Sequence, residues 1–293
     1  MIFTKEQLLK REFLEKVKKK AEDFLASDSF QEGYDLAKSL KLSIDKDNFK
    51  AELPELYKEY YLISIRLAWL GLNIMKEADV RDMFQYHFSK IFRIPDYDIW
   101  QKVRTILISI IILSDRDRFK KSLRDALLNN KEKLTFQKLK IGNEEKEPTV
   151  GNWLLDYTRN LGGGIADKLK FSQFLTNGAN IRKLNHQERD RVRMLFELYE
   201  RLKLSSQTLE GIEEDIPIDE EFGKGIISEG VPHFYKEDEN SRAFENIADS
   251  VIRERDGGSP GTKLPSLKDL INSYPVGSLE RKALEEELKR LGK

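Results

Sequence analysis

The chain has 293 residues, of which 39% are hydrophobic and 35% are charged, and 51 Lys and Arg balance 51 Asp and Glu. The length is sufficient for one large core or two smaller ones, and the charged fraction is typical of a helix-rich protein. The balanced charge argues against a protein that binds polyanions over its whole surface. The absence of cysteine excludes disulfides and cysteine-ligated zinc sites.

The N-terminal stretch MIFTKEQLLKREFLEKVKKK lacks the apolar core of a signal peptide. The longest apolar stretch runs from Ile106 to Leu113, interrupted only by Ser109, and is too short to cross a bilayer. We therefore expect a cytoplasmic protein with no membrane span.

Apolar residues spaced by three and four predict helices through most of the first two-thirds of the chain. Thr4 with Gln7 has the pattern of a capping box, and Ser29 with Glu32 repeats it. Pro54 stands where a helix begins. The helix after it carries the longest apolar stripe of the N-terminal part and should be central and buried.

The stripe from Ile99 to Leu113 predicts one continuous helical stretch, although Ile106–Leu113 is also compatible with a buried strand. The stretch LTFQKLKIG that follows is rich in β-formers and predicts one short strand or an extended connector. Thr149, and Asn185 with Glu188, predict further helix starts.

The predicted fold is all-α, a multi-helix bundle followed by an acidic tail. The predicted divisions are an N-terminal helical subdomain over 1–130, a connector over 131–148, a second helical subdomain over 149–204, and a tail over 205–293. The tail has 20 acidic and 12 basic residues, and the acidic ones are concentrated in its first part. It has too little apolar surface to offset the entropy of ordering the chain, so we expect it to be largely disordered, with short helices.

The stretch NLGGGIADK, residues 160–168, is the nearest approach to a chemical motif. A P-loop requires GxxxxGK[ST] after a strand, and a dinucleotide loop requires GxGxxG. Here the preceding element is helical by pattern, and Asp167 occupies the third glycine position of the dinucleotide loop. We interpret the glycines as the end of one helix and a hinge before the next.

The three histidines, His87, His186 and His233, lie in separate segments without the spacing of metal ligands. His87 falls on an apolar helical face and is predicted to be a core residue. No pair of acidic residues has a spacing that demonstrates general acid–base chemistry. No residue is predicted to be catalytic or to bind a metal or a cofactor.

Adjacent helical residues point about 100° apart. We therefore expect the four charges of Asp115–Arg118 to pair with residues one turn away.

Basic residues cluster at the end of the first long helix and around the helix that begins near residue 186. A basic stripe can neutralise phosphates, which makes nucleic-acid binding the alternative function. Acidic residues are interleaved, so a solvated helix face is the favoured interpretation. The candidate nucleic-acid contacts are Lys18, Lys19, Lys20, Arg182, Lys183, Arg189, Arg191 and Arg193.

The acidic segment that begins at residue 205 also carries apolar residues, as a peptide ligand does. Its apolar side chains would anchor a protein partner while the acids steer the encounter. Alternatively, the segment could fold back over the basic patch and compete with an external polyanion. The candidate partner-binding residues are Ile216, Ile218, Glu220, Glu221, Phe222, Phe234 and Tyr235.

The blocks EPTVGNWLLDYTRNLG and LNHQERDRVRMLFELYERLKLSS, and more loosely FLEKVKKKAEDFL and DIWQKVRTIL, resemble helical hypothetical proteins of small-genome bacteria. The resemblance covers most of residues 1–206. It implies a bacterial origin and an α-helical body, and it carries over no activity, cofactor or site residue.

The sequence therefore predicts a non-enzymatic cytoplasmic adaptor or scaffold that binds a protein partner, with nucleic-acid association as the alternative and an enzyme of unknown reaction next. On this interpretation, deletion of residues 205–293 should leave the body folded.

Overall fold

The computed structural model describes residues 2–46, 48–220, 223–228 and 230–234. The chain divides into two compact units, Met1–Glu221 with Gly225–His233, and Phe222–Lys224 with Phe234–Lys293. Of the second unit, the structure describes only Gly223, Lys224 and Phe234. The short helices expected in the tail lie outside the described residues.

The described residues are mostly helical, which confirms the all-α prediction. Their α-helices are α1 (Lys5–Leu8), α2 (Arg11–Ala26), α3 (Phe30–Ile44), α4 (Phe49–Glu52), α5 (Pro54–Leu70), α6 (Glu77–Tyr86), α7 (Ile99–Ser109), α8 (Leu113–Leu128), α9 (Val150–Leu161), α10 (Lys168–Asn177) and α11 (His186–Lys203). Short 3-10 helices span Leu72–Ile74, Phe88–Arg93 and Ile181–Lys183. Within the described part of the chain, no helix combines the length and the apolar character that crossing a bilayer requires.

Three of the predicted helix starts are confirmed by side-chain caps. Thr4 and Gln7 form both bonds of a capping box at α1, and Asn185 and Glu188 do the same at α11. Thr149 accepts a hydrogen bond from a backbone N–H in the first turn of α9. These bonds satisfy amides that have no partner within the helix.

Pro54 also begins α5 as predicted, and α3 begins at Phe30 directly after Ser29 as predicted, but the side-chain cap expected from Ser29 is not formed. The Ser29 side chain makes no bond to the first turn of α3, and its hydroxyl oxygen lies 2.7 Å from that of Ser27.

Two hydrophobic cores meet along α5. Its Ile63 and Leu67 lie in the first core, which is built by α1–α5. Its Ile65 and Trp69 lie in the second core, which is shared by α6–α11. One helix therefore supplies both cores from two sides. The change from one core to the other falls along α5 and not at the 131–148 connector where the sequence suggested a boundary.

The connector is part of the second core. Strands β1 (Leu139–Ile141) and β2 (Glu144–Lys146) pair antiparallel as a hairpin, with Leu139 opposite Lys146. Gly142 turns the chain between them with a φ of +64°, a conformation that glycine tolerates best. Both apolar residues of β1 are buried in the core.

The helical stretch expected from Ile99 to Leu113 is interrupted. α7 ends at Ser109 and α8 begins at Leu113, leaving Ile111 in the turn with 90% of its surface exposed. No glycine or proline stands at the break, and its physical reason lies in the contacts of α8 described below.

Three further strands follow α11, in the region where the sequence predicted a largely disordered tail with short helices. They are β3 (Ile216–Glu220), β4 (Gly223–Ser228) and β5 (Val231–Phe234), paired in that order. The edge strands carry Pro217 and Pro232, and the central strand carries none. Proline lacks an N–H and fits sheet edges, where it also blocks pairing with another strand.

Gly151 provides a test of the packing between α8 and α9. A Cβ at this position would lie 2.3 Å from the Leu128 carbonyl oxygen. The overpacking, which can cost up to about 3 kcal/mol, exceeds the gain of about 1 kcal/mol in helix propensity. We expect Gly151→Ala to lower the free energy of unfolding by about 2 kcal/mol in urea denaturation.

The matched control is Gly163→Ala, because no atom lies within 4 Å of a Cβ at that position. Its stability should stay within about 0.5 kcal/mol of the unchanged protein. A Gly151→Ala variant as stable as this control would contradict the packing described here.

Candidate functional site

One face of α8 carries Arg116, Asp117 and Lys120, and all three contact the segment 204–214. Of the charges at Asp115–Arg118, Asp115 and Arg118 pair one turn apart as predicted. Arg116 and Asp117 do not, because their partners lie almost a hundred residues later in the chain.

The break between α7 and α8 is stabilised by Arg116. Its Nε donates to the Ile110 carbonyl oxygen at 2.6 Å, and its Nη2 reaches the Ile108 carbonyl oxygen at 3.4 Å. A cationic side chain near a helix C-terminus satisfies carbonyls that lack partners within the helix. The guanidinium therefore completes the end of α7 in a chain that has no glycine there.

The same guanidinium binds two carboxylates. Nη1 and Nη2 donate to the two carboxylate oxygens of Glu214 at 2.5 and 2.6 Å, and Nη1 also donates to Glu213 at 3.2 Å. Two parallel bonds of this kind are the strongest arginine–carboxylate geometry. The hydrogen bond from Arg116 holds the pKa of Glu214 below its usual value, so Glu214 stays ionised at neutral pH.

Lys120 lies beneath this pair and is only 1% exposed. Its Nζ donates to the carbonyl oxygens of Leu204 at 2.9 Å and Gly211 at 3.0 Å, and it forms an ion pair with Glu213. The Glu213 side chain is fully buried and also accepts from the Ser206 hydroxyl at 3.0 Å. Each buried charge thus has an opposite charge and hydrogen-bond partners.

Asp117 hydrogen-bonds to the residues that directly follow α11. It accepts from the Ser205 hydroxyl at 2.7 Å and from the Ser206 backbone N–H at 2.8 Å. Burial alone would raise the pKa of Asp117, but these hydrogen bonds and one from Gln207 outweigh it and lower the pKa. The carboxylate is therefore held in its charged form.

Arg104 of α7 binds the far end of the segment. Its Nε donates to the Glu213 carbonyl oxygen at 2.6 Å, and its Nη2 donates to Asp215 at 2.7 Å. The Ser228 hydroxyl donates to the same Asp215 oxygen at 2.7 Å, and this bond is the main reason that the pKa of Asp215 is lowered. The start of β3 and the end of β4 are thereby tied to α7.

These contacts form a single unit, which we call the anchor cluster. Because it holds residues 205–215 against the helical body, the flexible tail predicted to begin at Ser205 does not begin there. Three acidic residues of this segment bind basic residues of the body, but these are Arg104, Arg116 and Lys120 and not the basic patch considered in the sequence. The members of the anchor cluster are Arg104, Arg116, Asp117, Lys120, Glu213, Glu214 and Asp215.

The sequence carries a signal for this cluster that apolar spacing and charge counts do not reveal. Arg116 and Lys120 stand four residues apart and continue the buried stripe of Phe119, Leu123 and Leu127 on α8. Charged residues on the apolar side of a helix require buried partners. The acidic run at residues 213–215 supplies them.

The anchor cluster also reverses the expectation for deletion of residues 205–293. That deletion would remove every carboxylate that pairs with Arg116 and Lys120, both of which are buried. An unpaired buried cation is strongly destabilising. We now expect the truncated body to lose stability.

An exposed apolar turn lies next to the anchor cluster. Ile108, Ile111 and Ile112 are 41%, 90% and 59% exposed, and we call Ile108–Ile112 the isoleucine turn. Arg116 contacts both the backbone of this turn and Glu214, so the turn and the chain entering β3 lie side by side.

The predicted partner-binding residues are only partly described. Ile216 is half-buried at the start of β3, Ile218 and Glu220 belong to the same strand, and Phe234 is exposed at the end of β5. The remaining three, Glu221, Phe222 and Tyr235, lie outside the described residues.

The predicted basic residues fall on separate elements. Lys18, Lys19 and Lys20 lie on α2; Lys18 pairs with Glu59 at 2.7 Å, and the Lys20 ammonium lies 5.4 Å from the centre of the Phe24 ring. A basic residue that is already paired with its own chain is a weaker phosphate ligand.

The other five lie near α11. Arg182 and Lys183 are on the 3-10 helix before it, and Arg189, Arg191 and Arg193 are on α11 itself. Arg193 pairs with Asp190 at 3.2 Å, and the Arg191 guanidinium lies 5.7 Å from the centre of the Phe92 ring. No single surface formed by all eight predicted residues emerges from these contacts.

The glycine stretch at residues 162–164 follows a helix, as the sequence indicated. Gly162 ends α9 with a φ of +89°, and Asp167 caps α10. Lys203 donates to the Gly164 carbonyl oxygen at 2.8 Å and Glu200 accepts from the Ala166 N–H at 2.8 Å. The loop is therefore fastened to α11.

The histidines are also apart from one another. His87 is half-buried at the end of α6, His186 is exposed on α11 and pairs with Asp190 at 2.8 Å, and His233 is exposed on β5. Among the described residues, no group of three or more His, Asp or Glu is arranged to hold a metal ion.

Glu213 tests the anchor cluster. Glu213→Gln keeps the size of the side chain and removes the charge that lies between two buried cations. We expect the free energy of unfolding to fall by about 3 kcal/mol, measured by urea denaturation. Exposed Glu210→Gln is the matched control and should change it by less than about 0.5 kcal/mol. Equal stability of the two variants would show that the cluster contributes nothing.

Comparison with known proteins finds no similar one: neither a protein-family model, nor a curated protein, nor a solved structure matches this chain. The function proposed below is therefore inferred from the contacts and exposed surfaces of the chain itself.

Proposed function

We propose that this chain is a non-enzymatic adaptor or scaffold, and that it binds a protein partner at the isoleucine turn and the adjoining start of β3. The observation that carries the proposal is Ile111, which is 90% exposed in a turn whose backbone is fixed by Arg116. We also propose that it resides in the cytoplasm, where a chain without cysteine loses nothing because it has no disulfides to form.

The exposed apolar area is what makes a protein partner the favoured ligand. Isolated exposed apolar residues are ordinary, but neighbouring large ones are typical of interaction surfaces. Burying one isoleucine side chain contributes about 1.5–3 kcal/mol. Three of them in one turn are sufficient for the centre of a small interface.

The fixed backbone strengthens this argument. Binding is weakened when a loop must be ordered at the same time, and a loop that is already ordered avoids that loss. Arg116 holds the carbonyls of Ile108 and Ile110, so the turn enters the complex in its final shape.

The charge of the adjoining segment indicates the chemistry of the partner. Residues 205–239 contain 11 acidic residues, and the anchor cluster uses only three of them. The others give this stretch of the chain a negative charge that the cluster does not neutralise. We infer a partner surface that combines apolar side chains with Lys or Arg, because such charges steer the encounter.

Ile111→Asp tests the proposal. Ile111 has few contacts to lose, so the variant should remain folded by circular dichroism and thermal melting. We expect the proteins captured by the immobilised chain, quantified by mass spectrometry, to include a set that falls by about tenfold or more with this variant.

The matched control is Phe136→Asp, which changes another large apolar residue, 86% exposed, away from the turn. It should retain the proteins that Ile111→Asp loses. Equal losses with both variants, or no loss with Ile111→Asp, would rule out the isoleucine turn as the binding surface.

The alternative, a nucleic-acid-associated protein, is favoured by one arrangement of basic residues. Lys18, Arg66 and Arg93 line a cleft of about 250 Å³ that also holds Glu22 and Glu59, which leaves an excess of one positive charge. Arg66 has a buried Nε without a hydrogen-bond partner in the described structure, so its guanidinium is the cation there that is best placed to take a phosphate.

Salt dependence distinguishes this alternative. If it holds, affinity for a fluorescent RNA or DNA oligonucleotide should fall linearly with salt on a log–log scale. Charge reversal at Arg189, Arg191 and Arg193 should then abolish binding. Affinity that is indifferent to salt, or unchanged in the charge-reversal variant, contradicts the alternative.

A further inference from the structure

A cleft of about 400 Å³ lies between α3, α5 and α6, away from the anchor cluster. Its volume is within the range of small-molecule sites. Its floor is apolar and includes Ala37, Ile65, Ala68, Met75 and Met83. Methionine adapts its shape to a bound group more readily than branched side chains do, so this floor suits a flexible apolar ligand.

The two rims of the cleft differ in charge. Lys38 and Lys41 project from α3, and Asp79 and Asp82 project from α6; all four side chains are exposed to solvent at the mouth. Asp45, at the C-terminal end of α3, also lines the cleft and offsets part of the lysine charge. In the described structure no ion pair joins either lysine to either aspartate across the opening, so the charges remain separated.

Each rim is formed by residues one helical turn apart, Lys38 and Lys41 on α3 and Asp79 and Asp82 on α6. Tyr34 also lines the cleft; burial raises the pKa of its hydroxyl, and the charge of Asp79 raises it further.

His87 adds a neutral polar group inside the cleft. Burial lowers the pKa of His87, and the charges of Lys41 and Lys90 lower it further, whereas Glu132 and, less strongly, Asp82 oppose this. The ring is therefore uncharged at neutral pH and offers a donor or an acceptor without a fixed charge. The Tyr61 hydroxyl oxygen lies 3.4 Å from Nδ1 and 3.5 Å from Nε2 of the ring.

We propose that this cleft binds a small zwitterion with an apolar body, of the class of an apolar amino acid or dipeptide. Its carboxylate faces Lys38 and Lys41, its ammonium faces Asp79 and Asp82, and its apolar side chains rest on the floor.

The unbridged rims favour a zwitterion over a singly charged ligand. A monoanion would gain from the lysine rim and be repelled by the aspartate rim, and a monocation would meet the reverse. A molecule with both charges satisfies both rims at once, and the apolar floor selects for its side chains. This inference does not depend on the partner proposed for the isoleucine turn.

Backbone amide shifts in TROSY NMR spectra of the full chain test the proposal, with leucine and Leu-Leu as probes at concentrations up to about 10 mM. We expect at least one probe to shift amides of α3, α5 and α6 around the cleft. The blocked forms of that probe should bind about tenfold more weakly or worse: the N-acetyl derivative loses the ammonium and the amide derivative loses the carboxylate.

Lys41→Gln and Asp82→Asn should each weaken the bound probe by about tenfold, because each removes one of the paired charges. The matched controls are Lys58→Gln and Glu55→Gln, exposed residues of α5 that do not line the cleft. These controls should leave the affinity unchanged, and thermal melts should show all four variants folded.

Three outcomes would each overturn the proposal: no shift of the cleft amides with either probe, blocked forms that bind as well as the zwitterion, or control variants that weaken binding as much as Lys41→Gln and Asp82→Asn. Stronger binding of a simple carboxylate such as hexanoate would overturn it in favour of an anionic ligand.

Discussion

The structure of the second core depends on the neutralisation of two buried cations, Arg116 and Lys120. Burying either charge without a carboxylate nearby is strongly destabilising, and in the described structure the chain that follows α11 provides the carboxylates. A short acidic stretch, Glu213–Asp215, is therefore a structural part of the helical body. The negative charge that predicted a solvated tail is the reason that these residues bind basic residues of α7 and α8.

The anchor cluster also determines what is exposed. By holding the carbonyls at the end of α7, Arg116 allows the chain to break there without glycine or proline, and the break brings Ile111 to the surface. By binding Glu214, the same side chain brings the start of β3 beside that turn. The Arg116 guanidinium thus binds the end of α7, the start of β3 and the backbone of the proposed binding surface.

Much of the helical architecture could be predicted because it depends on local patterns. Apolar spacing located the helices, and capping residues such as Thr149 and Asn185 located their starts. The break after Ser109 could not be predicted from neighbouring residues, since its cause is a contact with a side chain on the next helix. The cleft beside His87 was missed for a related reason: α3, α5 and α6 build it together, and no single stretch of sequence contains its pattern.

The separation of the paired charges has a consequence for biosynthesis. Arg116 and Glu213 are 97 residues apart, so α8 leaves the ribosome long before its counter-charges are translated. Until then, the α8 face that the acidic stretch will cover stays open to water, and the second core is incomplete. The pairing cannot form before Glu213 has left the ribosome, and a chain stalled before that point exposes the uncovered face of α8 to chaperones and proteases.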